Sequence, residues 1–173
     1  MSIRRFYESE GQRTEQEGYE TAQICENGHI ITSSADSFPH HQEDHCSKCG
    51  AKTVKTCANC NERIRGHLRG VLPSVHEAPP PSFCHKCGNP YPWTEKGITA
   101  AREMLAEVET LTTEEKEVLN KSLDDLVRDT PTTQVAVVRF KKFLPKAGRE
   151  IAEGLRSILI NIVNEAAKKA LWP

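Results

Sequence analysis

All seven cysteines of this 173-residue chain fall between Cys25 and Cys87, as Cys25, Cys46 and Cys49, Cys57 and Cys60, and Cys84 and Cys87. An odd number cannot be consumed in disulfides. A C-x2-C pair is spaced to grip one ion from a tight turn, not to bridge to itself. His29 follows Cys25 by four residues in the run CENGH, so four motifs together offer eight ligands. Eight ligands of this softness make two tetrahedral sites, and the expectation is two structural Zn2+ ions.

Ribbon logic pairs one knuckle with another across a hairpin. It joins Cys25 and His29 to Cys46 and Cys49, and Cys57 and Cys60 to Cys84 and Cys87. Both sites are then closed, and the metal free energy, on the order of 10 kcal/mol or more, goes into folding a segment with few apolar residues. A cross-brace, in which alternating motifs share ions, is the competing pairing; the stretch between Cys49 and Cys57 is long for it. His40, His41 and His45 lie in a polar loop and compete with His29 for the eighth position. His67, His76 and His85 have no partner motif.

The rest of the composition agrees with a small protein of modest core. Hydrophobic residues make up 37% and aromatic residues 6% of the chain, which is soluble and globular in character. The opening residues lack the apolar run of a secretory signal, and no window reaches the ~18 uncharged apolar residues of a membrane span. A cytoplasmic location is expected, where thiols stay reduced and available to metal.

Along the chain, residues 1–18 read as a flexible N-terminal arm without hydrophobic period. Residues 19–93 form the double zinc ribbon. Two short strands are expected around CENGH, with Asn27-Gly28 making the turn, and one more in AKTVKT. Residues 33–45 form a polar loop, and 66–82 a Pro-rich excursion stiffened by Ala78-Pro79-Pro80-Pro81. Pro90, Tyr91, Pro92 and Trp93 staple the last knuckle to the first helix.

Residues 94–173 change to a helical period. Thr94 is expected to cap a helix with Ile98, Ala101, Leu105 and Val108 on one stripe. Thr112 or Thr113 caps a second that turns Val118, Leu119, Ser122, Leu123 and Leu126 inward. Thr130-Pro131 starts a third element, QVAVVRFKKFL, whose valines leave a strand open. A single last helix, about Lys146 to Ala170, carries Ile151, Leu155, Ile158, Leu159, Ile162, Val163, Ala166 and Ala170. Its Ile151, Leu155, Ile158, Leu159, Ile162 and Val163 are the candidate interface for a homo-oligomer. Its charges interrupt it too often for a membrane span. Residues 94–129 hold five basic against ten acidic residues, and 130–173 eight against three. The two segments attract, within one bundle or between chains.

A zinc-dependent enzyme and, as the stronger alternative, a nucleic-acid-binding ribbon are the competing functions. His41-Gln42-Glu43 before Cys46-Ser47-Lys48-Cys49 echoes the H-x-E and P-C-x-x-C of zinc deaminases, but those motifs start separate helices, and here Cys46 stands only three positions after Glu43. With no phosphate loop, nucleophile elbow or H-E-x-x-H present, no enzyme is expected. Lys52, Lys55, Arg63, Arg65 and Arg69 form a candidate nucleic-acid patch, with Tyr91 and Trp93 as stacking faces. Residues 19–93 nevertheless balance seven basic against seven acidic residues, so nucleic acid is the less favoured partner.

CENGH, CSKCGAKT, CANCNERIRG and FCHKCGNPYPW, in this order, resemble a bacterial family of uncharacterised function with a double zinc-ribbon front half and a helical rear half. The resemblance implies zinc at the eight positions and a bacterial cytoplasmic protein; it implies no activity. The reading is a small zinc-stabilised β-rich double zinc ribbon followed by an all-α bundle, α+β overall, that serves as a non-enzymatic adaptor for a protein partner.

Overall fold

The structure is a computed structural model that describes residues 18–71 and 79–172. The N-terminal arm, Gly18 excepted, and His76 and Ala78 of the Pro-rich excursion lie outside the described residues. The chain divides into two compact units, residues 1–78 and 79–173. The first is built of short strands and the second of helices, giving an α+β protein.

In the first unit the strands are β1 (Tyr19–Thr21), β2 (Gln23–Cys25), β3 (Ile30–Thr32), β4 (Thr53–Val54) and β5 (Arg65–Leu68). β1 pairs antiparallel with β5, and β2 lies between β3 and β4, antiparallel to both. The strands on either side of CENGH and the one in AKTVKT are those the period-2 pattern indicates. β5 is a correction, because Arg65–Leu68 belongs to what reads as an irregular excursion. Its RGHL has no apolar alternation to reveal a strand. The strand also passes close to the backbone after β3: the His67 N–H donates to the Ser33 carbonyl at 2.8 Å, and a Cβ on Gly66 would lie 2.1 Å from that oxygen, so only glycine fits there.

Among the described residues of this unit, Ile24 and Ile64 are the large aliphatic side chains that are fully buried. Polar side chains complete a core this lean, and each is partnered. The Gln23 side-chain amide donates to the Glu43 carbonyl at 2.8 Å and accepts from the Glu43 N–H at 3.0 Å. Buried Glu20 accepts from the Ser37 N–H and hydroxyl and pairs with Arg69 Nε at 3.0 Å.

In the second unit, α1 (Pro92–Ala106), α2 (Thr113–Val127), α3 (Thr133–Phe143), α4 (Arg149–Leu159) and α5 (Glu165–Leu171) pack through a core that includes Leu105, Leu119, Leu123, Leu126, Phe140, Leu155 and Leu159. α2 starts as the sequence indicates: Thr112 Oγ1 accepts from the Glu115 N–H and the Glu115 carboxylate accepts from the Thr112 N–H, a reciprocal capping box.

Three boundaries differ from expectation. α1 is capped by Tyr91, with Pro92 at the first position. Thr94, expected as the cap, sits inside the helix, fully buried, its hydroxyl donating to the Ser82 carbonyl at 2.9 Å. α3 is a helix, not a strand, and begins after Thr132 instead of at Pro131. Thr133 Oγ1 fixes the α2–α3 turn by bonding the carbonyls of Asp125 and Arg128 and the N–H of Thr130.

The single last helix is two. Residues 144–147 form a 3-10 turn, Gly148 has φ +86°, α4 ends at Leu159, and Asn164 caps α5 by accepting from the Ala167 N–H at 2.9 Å. The Asn164 amide also donates to the carbonyls of Leu126 and Arg128, so the chain is held at the bend by α2. The break resets the helical phase. Ala167 is buried, whereas Ala166, assigned to the inner face by an unbroken period, is exposed.

Candidate metal centres

Each C-x2-C knuckle is built by one hydrogen-bond pattern. In the first, the Cys46 N–H donates to the Ala51 carbonyl and the Gly50 N–H to that of Cys46; Cys57 with Glu62 and Asn61, and Cys84 with Asn89 and Gly88, repeat it at 2.7–2.9 Å. The residue after the second cysteine must then be left-handed. Gly50 has φ +70°, Asn61 +57° and Gly88 +73°. Gly has no Cβ penalty there, and Asn is the side chain that best tolerates it. In CENGH the shorter turn is closed by Gly28, at φ +86°, whose N–H donates to the Cys25 carbonyl at 2.8 Å.

These turns bring the ligating atoms together in two groups. Cys25, His29, Cys46 and Cys49 form one and Cys57, Cys60, Cys84 and Cys87 the other, with the ligand atoms of each within 4.8 Å of one another. Both groups can hold a metal ion. This is the sequential ribbon pairing; the alternating cross-brace grouping is not the one formed. In the first group His29 Nδ1 lies 3.5 Å from Cys25 Sγ and 3.6 Å from Cys46 Sγ, and Cys25 Sγ lies 3.8 Å from Cys49 Sγ.

The surrounding dipoles suit thiolates. The His29 N–H donates to Cys25 Sγ at 3.3 Å and the Asn27 side-chain amide to Cys49 Sγ at 3.5 Å. The Ala51 N–H beside Cys49, with help from His29 and Asn27, lowers that thiol to about 6. Burial pushes the Cys25 thiol up, against the opposing N–H donors of His29 and Asn27. Cys25 and Cys46 are buried while Cys49 is exposed. Asn27 thus does more than turn the chain, since its amide reaches across to the Cys46–Cys49 knuckle. Nothing in the spacing of CENGH distinguishes that role from the turn.

Among the described residues, the other histidines, His40, His41, His45, His67 and His85, join neither group. Phe38 stacks on His41 with ring centroids 5.4 Å apart, and His40 meets His41 edge-on at 4.3 Å. His45 is exposed and bridges to Lys52 across the knuckle. His67 Nε2 donates to the Val71 carbonyl, and His85 is exposed between its cysteines.

The basic residues are scattered and mostly engaged. Arg69 is held by Glu20 and, at 3.2 Å, by Asp36. Burial raises the Asp36 carboxyl, but the Thr21 N–H and hydroxyl and the charges of Arg63 and Arg69 outweigh it and leave it below its ordinary value. Arg65 lies over the Tyr19 ring at 4.9 Å, and Lys55 donates to the Gln42 side-chain oxygen at 2.7 Å. Arg63 and Lys52 are exposed. Tyr91 and Trp93 are buried and stacked on each other at 4.7 Å, and the Trp93 indole N–H donates to the Pro81 carbonyl; they offer no open stacking face.

Of the candidate helix interface, Leu155, Leu159, Ile162 and Val163 are buried within the chain, and Ile151 and Ile158 are half-buried. Among the described residues no helix is long and apolar enough to cross a membrane.

Residues 18–171 match the family described as an uncharacterized protein conserved in bacteria (DUF2321). No curated protein and no solved structure matches the chain.

Proposed function

Because the chain belongs to this uncharacterised bacterial family, its role is read from its own residues, and we propose that it is a non-enzymatic, cytoplasmic double zinc-ribbon adaptor holding two structural Zn2+ ions. One observation carries the metal assignment. A tetrahedron with Zn–S of about 2.3 Å and Zn–N of about 2.0–2.1 Å has S–S edges of about 3.8 Å and N–S edges of about 3.6 Å. The first group has edges of 3.8, 3.5 and 3.6 Å. Three sulfurs and one imidazole nitrogen in that arrangement suit zinc, and the second group offers four sulfurs.

Four protein ligands per ion leave no position for water or substrate, which supports a structural role over a catalytic one. The ions would instead hold the polar loop 33–45 and the segment after the third knuckle in shape for a protein partner. The ion pairs on Arg69 and the hydrogen bond on Lys55 favour this reading over nucleic acid. Self-association, the other expectation, would draw on the half-exposed Ile151 and Ile158.

Elemental analysis of the purified chain tests the zinc assignment. Two zinc ions per chain and loss of ribbon fold on chelation are expected, and one ion per chain refutes the eight-ligand set. Titration with DNA or RNA at two salt concentrations separates the partner classes, since salt-dependent affinity would overturn the protein-adaptor reading.

A further inference from the structure

A cleft of about 350 Å³ in the helical unit contains none of the metal-ligating residues. Its wall is apolar along Leu144, Pro145, Ala152, Leu171 and Trp172, and Lys141, Arg149, Arg156 and Glu153 stand at its rim. The rim is cationic by two. Glu153 is matched by Arg149, whose Nε lies 2.8 Å from its carboxylate. Lys141 and Arg156 make no ion pair with any described residue. Both are exposed, on α3 and α4 respectively.

An apolar wall beside two cations without counter-ions has a definite complement. The volume is at the small end of the ~300–1,000 Å³ range of ligand pockets, which suits a small molecule. An anion alone would leave the wall wet, and an apolar molecule alone would leave the cations unanswered. We propose that this cleft binds a small amphiphilic carboxylate, with its headgroup between Lys141 and Arg156 and its apolar body on Leu144, Pro145, Leu171 and Trp172. Arg156 presents a planar fork suited to a carboxylate, and Lys141 adds a point charge. Trp172 is half-exposed and lines the cleft, so it has surface to give to a ligand. The proposal does not depend on the zinc assignment.

The chain carries its own reporter, because its two tryptophans are Trp93 and Trp172, and Trp93 is buried with its indole N–H bonded to Pro81. Decanoate, kept below its micelle concentration, is titrated into the full zinc-loaded chain and followed by tryptophan emission and calorimetry. One decanoate per chain is expected, with an emission change that Trp172→Phe abolishes. Lys141→Glu with Arg156→Glu weakens binding at least tenfold. Decanol, which has the tail without the charge, and acetate, which has the charge without the tail, bind at least tenfold more weakly than decanoate. Decanol binding as tightly as decanoate, unchanged affinity in the double charge variant, or no saturable heat at one equivalent would each overturn the proposal.

Discussion

Replacing His29 with Ala removes the nitrogen that sits 3.5 and 3.6 Å from two sulfurs of the first group and leaves three thiolates. A structural zinc site is worth about 10–16 kcal/mol in apparent binding free energy. Shared over four ligands, this assigns about 3 kcal/mol to the imidazole, or a zinc affinity lower by about a hundredfold or somewhat more. Much of that should reach folding, because among the described residues of the first unit Ile24 and Ile64 are the fully buried large aliphatic side chains. The assay is competition for zinc with a chromophoric chelator, run beside thermal unfolding. His29→Ala should release one of two ions at a chelator concentration that leaves wild type loaded, and lower the melting temperature. His29→Cys should keep both ions, since a thiolate can replace the imidazole. His40→Ala, His41→Ala and His45→Ala should match wild type. Retention of both ions with unchanged affinity in His29→Ala, together with loss of one in His45→Ala, would refute the assignment and place the eighth ligand in the polar loop.

Asn61, left-handed at φ +57°, should accept Gly with little change, whereas Asn61→Val costs roughly 1–2 kcal/mol by strain at that φ; urea midpoints of zinc-loaded protein measure both, and equal midpoints would remove the argument that each knuckle needs a left-handed residue. Thr133→Val keeps the shape of a buried side chain but deletes the hydroxyl that bonds two carbonyls and one N–H, so a loss of about 1–3 kcal/mol is expected in chemical unfolding, and a neutral result would mean that water replaces it. Glu115 is held below the usual carboxylate range by its hydrogen bond from Lys146 and by the Thr112 N–H. A depressed folded value contributes stability above the unfolded glutamate value of about 4.3, and that contribution is lost as pH falls through the folded value. Glu115→Gln should therefore flatten the acid limb of the stability profile, and a parallel profile for wild type and variant would contradict it.

The metal groups were legible because their determinants are local. A knuckle is closed by hydrogen bonds among residues no more than five apart, so C-x2-C and the Gly or Asn that follows it carry the turn in their own spacing. The Thr112 cap and its Glu115 partner are three residues apart and were equally readable. Hydrophobic period found the helices, and the odd cysteine count pointed to His29. What sequence alone could not supply were the effects of residues far apart in the chain. β5 pairs with β1, far earlier in the chain, with Arg65 opposite Thr21, and its Gly66 passes close to Ser33. α1 starts early because Thr94 reaches the Ser82 carbonyl instead of capping. The last helix breaks where Asn164 bonds Leu126 and Arg128, 38 and 36 residues away, although the apolar period runs on through the bend. That bend carries Leu171 and Trp172 to one cleft with Lys141 and Arg156. Spacing therefore determined which atoms could hold a metal. Only long-range backbone and side-chain hydrogen bonds, which leave no periodic trace in a sequence, decided where the last helix breaks and which charges stand at the cleft.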